Sequence, residues 1–201
     1  MEKIEYDYKK TPLTYQITEY DCGTTCVLNA IKYLFNREEI VPQMYKKILE
    51  ETLDKSFNNE IGKGGTTNIS LRKLCNELYV KGGKNVDIIS KELSQDNVSI
   101  YNKELEKEIV NGCVAILKVY QEVSHYVLLT KLDESFAYIF DPYYLPINYY
   151  DNDDSVEIVK DRGFEYNRKV RKERLNSNTS LDFALLQGEQ AQIIILKKKI
   201  R

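Results

Sequence analysis

The first third of the chain carries helical periodicity, and the middle third switches to strand alternation. Cys26 to Phe35 is the most apolar early stretch. Val27, Leu28, Ala30, Ile31, Leu34 and Phe35 cover more than one narrow stripe, which predicts a buried central helix rather than a surface one. Asp21 or Cys22 would stand near its start, and Asn36-Arg37 would end it. Pro42 suits the first position of a second helix over Gln43 to Leu53, with Met44, Ile48 and Leu53 inward. Asn58 to Thr67 reads as a glycine-containing connection. Thr67 or Asn68 then caps a third helix to about Tyr79, burying Ile69, Leu71, Leu74, Cys75 and Leu78, with Gly82-Gly83 closing it.

Asn85 to Ile89 predicts a short strand, Ser94 to Ser99 a polar surface stretch, and Asn102 to Ile109 a short helix. After the Asn111-Gly112 turn come three close apolar or alternating runs: Cys113 to Val119, Tyr126 to Lys131 and Phe136 to Phe140. They predict antiparallel strands joined by short turns. Val156 to Val159 and Gln192 to Leu196 read as further strands, and Asp182 to Leu186 as a helical turn. Arg162 to Arg174 is polar and follows neither period. Early helices and late strands make an α+β layout. We expect one domain over residues 1–201, a helical half at about 20–80 facing a sheet half at about 113–196, with 143–190 decorating the sheet half.

Composition narrows the function classes. A formal charge of −2 over 201 residues lacks the basic footprint of a nucleic-acid binder. The runs Arg168 to Arg174 and Lys197 to Lys199 read as a solvated face and a chain end. There are 16 Tyr and no Trp, which leaves a Tyr-lined groove as a minor option beside ordinary packing. No run approaches a bilayer span and Met1 to Gln16 has no signal-type apolar core, so the expected location is cytoplasmic. The four cysteines, Cys22, Cys26, Cys75 and Cys113, include no CxxC pair, and there is one histidine. That argues against a zinc site, and thiols rather than disulfides are expected. No cofactor is called for.

One residue set carries chemistry. A cysteine acyl-transfer site needs a thiolate, an imidazole in reach, a group orienting the imidazole, and oxyanion donors. Cys22, at a helix N-terminus where the dipole favours a thiolate, is the nucleophile candidate. Gly23 beside it would let a substrate backbone approach. Cys26, one turn deeper in the apolar stretch, is the rival; that place, like those of Cys75 and Cys113, suits a packing thiol better. His125 is the base candidate because the chain holds no other imidazole. A hairpin turning at Asp133-Glu134 sets Leu132 opposite Ser135 and position 142 opposite His125, which brings Asp141 close. Gln16, six residues before Cys22, carries an amide able to donate to an oxyanion. Each residue has a plain alternative: an inert thiol, a turn histidine, an Asp-Pro turn starter, a loop glutamine.

Together, Gln16-Ile-Thr-Glu-Tyr-Asp21-Cys22-Gly23-Thr-Thr-Cys26, Ser124-His125-Tyr126-Val127-Leu128-Leu129 and Phe140-Asp141-Pro142 resemble the three motifs of the C39-like cysteine peptidases, a branch of the papain-like fold. The resemblance implies a central N-terminal helix packed on an antiparallel sheet. It implies Cys22 as nucleophile, His125 as base, Asp141 as orienting carboxylate and Gln16 as oxyanion donor. The leading expectation is therefore a peptidase acting on a peptide or amide substrate through a Cys22 thioester. An acyltransferase taking a thioester donor, and a silent papain-like binding module, are the alternatives. The motifs span residues 16 to 142 and carry the chemistry further than the substrate.

Overall fold

The computed structural model describes residues 9–53, 63–77 and 86–200. Its helices are α1 (Cys22–Leu34), α2 (Pro42–Thr52), α3 (Asn68–Glu77), α4 (Lys103–Val110) and the single turn α5 (Lys172–Leu175). Its strands are β1 (Val86–Ser94), β2 (Val114–Gln121), β3 (Val123–Leu132), β4 (Phe136–Phe140), β5 (Val156–Ile158), β6 (Arg168–Arg171) and β7 (Gln192–Ile200). The strands form one antiparallel sheet in the order β1-β7-β2-β3-β4-β6-β5. The expected α+β architecture, a central helix against an antiparallel sheet, is the one observed.

Strand alternation splits the core between the two faces of the sheet. Val114, Ile116, Tyr126, Leu128, Phe140, Ile194 and Leu196 share one apolar cluster with α1, α2 and α3. Ala115, Leu117, Val127, Leu129, Ile139, Ile193 and Ile195 point the other way, onto Leu105 and Ile109 of α4 and onto Leu175, Phe183 and Leu185. α1 is buried along Val27, Ala30 and Ile31, with Leu28 and Leu34 packed at the cluster's margin.

The sequence reading needs five corrections. Leu53 and Ile69 point outward, at 52% and 73% exposure; α2 and α3 are amphipathic, and Met44, Ile48, Leu71, Leu74 and Cys75 already fill their inner stripes. Leu78, Gly82 and Gly83 lie outside the described residues. β1 runs on to Ser94 because its whole length pairs with β7. Residues 182–186 form a turn and an isolated bridge between Leu185 and Val119, not a helical turn. The unassigned 162–174 region supplies β6 and α5, and with β5 it extends the sheet beyond β4 rather than decorating it. Its basic run is not a solvated face, for Arg168 and Lys172 are buried.

Candidate active site

β3 and β4 meet in a register that changes once. Lys131 pairs with Tyr138 and Leu132 with Ala137, then an irregularity between Leu129 and Lys131 resets the ladder to Leu129 with Ile139 and Leu128 with Phe140. The sequence-based register, Leu132 opposite Ser135, was therefore two residues short at the turn. The irregularity matters for chemistry. Were the turn-end register continued, Leu128 would face position 141, and His125 would lie on the opposite side of the sheet from Asp141. The bulge instead sets Val127 opposite position 141, so His125 and Asp141 become diagonal neighbours on one face. His125 Nε2 lies 2.9 Å from Asp141 Oδ1.

The ladder between β3 and β4 stops at Leu128 and Phe140. Beyond it the backbone edge of Tyr126 is taken up by α1. Cys26 Sγ donates to the Tyr126 carbonyl at 3.1 Å. Cys22, at the start of α1, stands near enough to the Tyr126 N–H and the His125 ring for both to lower its thiol. Since Nε2 is committed to Asp141, Nδ1 is the nitrogen left for the thiol. The structure joins His125 to Asp141 by a hydrogen bond and places Cys22 near enough to the ring for the two to shift each other's titration.

The electrostatics follow from that arrangement. Burial pushes His125 toward its neutral form, but the bonds to Asp141 and Cys22 and their charges outweigh it, taking the imidazole up to about 10. Burial likewise favours a neutral Cys22 thiol; the His125 hydrogen bond and charge, with the N–H groups of Tyr126 and Gly23, more than offset it and lower the thiol below its ordinary value. The other cysteines move the opposite way. Burial raises Cys26 far above the ordinary thiol range and Cys75 to about 12, and burial with Glu108 takes Cys113 to about 11. Cys22 is the cysteine placed as a thiolate.

Asp141 is held by residues the sequence reading did not single out. Asn167 brackets its backbone, Oδ1 accepting from the Asp141 N–H at 2.7 Å and Nδ2 donating to its carbonyl at 2.8 Å. Arg168 brings Nη2 within 3.5 Å of Asp141 Oδ2, and its guanidinium also donates to the carbonyls of Asn167 and Tyr143. Both side chains come from the irregular approach to β6, about 26 residues beyond Asp141. No local period could have marked them.

Gln16 lies on the same side of the molecule, its N–H donating to the Pro142 carbonyl at 2.9 Å. Its side-chain amide donates to the Thr18 carbonyl, and Oε1 is buried without a hydrogen bond. Asp21 shapes that segment. Its carboxylate accepts from the N–H groups of Ile17 and Thr18 and from the Thr18 hydroxyl, folding residues 16–21 into the turn that leads to Cys22. Gly23 does not face a substrate path: a Cβ there would lie 2.5 Å from Thr66 Cβ, so the glycine admits the 64–67 segment. That segment walls a groove of about 670 Å³ that Cys22 lines with Tyr20, Asn68, Lys118, Ser124 and Gln190.

No family model and no curated protein matches the sequence. Solved structures do match the fold. A C39-like peptidase from Bacillus anthracis superposes with a TM-score of 0.53 at 16% identity, over 96% of this chain and 98% of that one. This is the fold of the C39-like peptidases. Weaker matches, both at a TM-score of 0.48, are a double glycine motif protease from an AMS/PCAT transporter, solved with its leader peptide, at 16% identity over 96% and 94% of the two chains, and the peptidase domain of the Streptococcus ABC transporter ComA, at 18% identity over 92% and 97%. Among the described residues no helix is long and apolar enough to cross a membrane.

Proposed function

We propose that this C39-like domain is a cysteine-dependent acyl-transfer enzyme, a peptidase in its leading reading, with Cys22 as nucleophile. The observation that carries the reading is the His125–Asp141 hydrogen bond beside Cys22, with the thiol lowered and the imidazole raised, where Cys22 lines an open groove. The thiolate attacks a carbonyl carbon, forming a C–S bond. The oxyanion is held by the Cys22 N–H at the start of α1 and by the Gln16 amide, which has a second N–H beyond the one given to Thr18. His125 passes its Nδ1 proton to the leaving amine as the C–N bond breaks. Water, deprotonated by the same nitrogen, then releases the acyl group and restores the pair. Asp141 fixes the ring and compensates the imidazolium charge throughout.

Limiting iodoacetamide followed by peptide mass mapping tests the nucleophile. Cys22 is expected to carry the label first, and labelling of Cys26 with Cys22 untouched overturns the assignment. Acyl donors with amide or thioester leaving groups then test direction. An acyl-Cys22 adduct cleared by water supports the hydrolase. An adduct that resists water and yields to an added amine supports the acyltransferase instead.

A further inference from the structure

Among the described residues three lysine and arginine side chains are buried: Arg168 at 1% exposure, Lys172 at 4% and Lys118 at 5%. Two have a carboxylate. Arg168 faces Asp141, and Lys172 Nζ bonds Glu106 Oε1 at 2.9 Å. Lys118 has none. Among the described residues its ammonium meets only neutral acceptors, Asn68 Oδ1 at 2.6 Å and Gln190 Oε1 at 2.7 Å, with the Tyr126 ring face 5.5 Å away. A buried ammonium that no carboxylate partners is costly. An ammonium has three donors, and these two bonds leave one over.

The position is a built one. Lys118 pairs across the ladder with Tyr126, and Gln192 lies one step beyond the Leu117–Ile193 pair on the other side. All three rise from the sheet face that carries α1 and α3. Asn68, at the start of α3, ties the row together, its Oδ1 also accepting from the Tyr126 hydroxyl at 2.9 Å. Gln192 passes on to Glu92, whose carboxylate is already held by Arg72. Asn68, Lys118 and Tyr126 of this row line the Cys22 groove. The Cys22 charge reaches the Lys118 ammonium and supports its protonated form against burial. Glu19 and Glu189 also line the groove without pairing to Lys118.

We infer that Lys118 is a specificity-determining residue, and that the groove takes substrates with a carboxylate close to the carbonyl that Cys22 attacks. The inference rests on Cys22 as nucleophile. The carboxylate can come from an acidic side chain or from a free C-terminus.

Iodoacetate and iodoacetamide make the test without knowledge of the substrate. Both alkylate a thiolate, one C–S bond forming as iodide leaves, and they differ in a carboxylate against an amide. On the intact protein the rate ratio of iodoacetate to iodoacetamide at Cys22 is expected to fall about tenfold in Lys118→Met and to hold in Lys118→Arg, the worth of one charge-assisted hydrogen bond. Using the ratio cancels any loss common to both reagents. An unchanged ratio in Lys118→Met overturns the inference. Labelling elsewhere than Cys22 overturns the nucleophile, which is a separate failure. Wild-type protein gives a second arm that needs no variant. N-acetylglycine and the α-amide of N-acetylaspartate are offered as protectants of Cys22, with N-acetylglycinamide as the neutral control. Protection by the first assigns a C-terminal carboxylate, and protection by the second an acidic side chain. Protection by neither overturns the proposal.

Discussion

The two sides of the His125 ring are built in opposite ways. On the Cys22 side stands a groove walled by the 64–67 segment, the start of α3, Lys118 on β2 and Tyr126 on β3, open enough to admit a ligand. On the Asp141 side everything is closed: Asp141, Asn167 and Arg168 are all buried and bonded mainly to each other's backbone. The difference teaches where precision is kept. The ring stands beside an open groove on one edge and is held by a closed, buried cage of residues on the other, where low dielectric strengthens each bond. The cage is also where removing one partner costs most.

Arg168→Met is the sharpest way to break that contrast. Asp141 would keep its contact with His125 but lose its nearest cation on the other oxygen, leaving a less compensated buried charge. Unfolding free energy by urea is expected to fall by about 3 kcal/mol or more, the usual result of breaking a buried pair from one side. The double variant Arg168→Met, Asp141→Asn is expected to recover part of that loss, because the orphaned charge goes with it. A single variant as stable as the parent would mean that Arg168 serves the Tyr143 and Asn167 carbonyls alone.

The same contrast explains what could be read from the sequence. Cys22, His125 and Asp141 lie at element ends, where a run of Val, Ile, Leu and Phe meets a polar residue, so local pattern marks them. The central helix and the β2–β4 strands were legible for the same reason. The cage was not: Asn167 and Arg168 sit in a stretch without period, and Arg168 belonged to a run whose charge pointed to solvent. The β-bulge that puts His125 and Asp141 on one face leaves no mark in the alternation of Tyr126 to Lys131. Lys118 sat inside an apolar strand as a single polar interruption, readable as an outward residue until the row it forms with Tyr126 and Gln192 was visible. Gly23 was assigned to the right place for the wrong neighbour.

On the groove side, Gly23→Ala sharpens the comparison with a smaller effect. The added methyl meets the Thr66 side chain at its branching carbon, 2.5 Å from Cβ and 2.6 Å from Oγ1, so rotation cannot clear it. The 64–67 wall must move, and the expected cost is about 1–3 kcal/mol in thermal or urea unfolding, the range for overpacking. Because the wall borders Cys22 directly, the iodoacetamide rate is expected to change as well. Thr66→Gly in the same chain removes the colliding atoms and is expected to return both readings toward the parent. If Gly23→Ala is neutral in both, the wall is soft and the groove is not shaped by this contact.

The smallest effect reads the pair that joins the two sides. His125 is raised from 6.5 to about 10, so its contribution to stability is complete below 6.5 and is lost as pH climbs through 10. Cys22 is lowered from 9.0, so its contribution is complete above 9.0 and is lost as pH drops through its folded value. Above both 6.5 and the folded Cys22 value, and up to 9.0, the two slopes oppose each other. Folded protein there holds one proton on the pair, as imidazolium beside thiolate. Unfolded protein also holds one, as thiol beside neutral imidazole. The pair therefore contributes no pH slope in that window. Above 9.0 the unfolded thiol ionises while the folded imidazolium persists, and stability falls by up to about 1.4 kcal/mol per pH unit until His125 titrates. Cys22→Ser removes one of the opposing slopes. Asp141 still holds the imidazole raised, so the variant's stability should decline from about pH 6.5 onward, while the parent's contribution levels off once pH passes the folded Cys22 value and stays level to 9.0. Urea unfolding of both proteins at half-unit steps from pH 6 to 10 measures the difference, which cancels every other titrating group they share. Parallel curves across that range would show that Cys22 titrates alike in the folded and unfolded chain, and the ion-pair description of the site would fall.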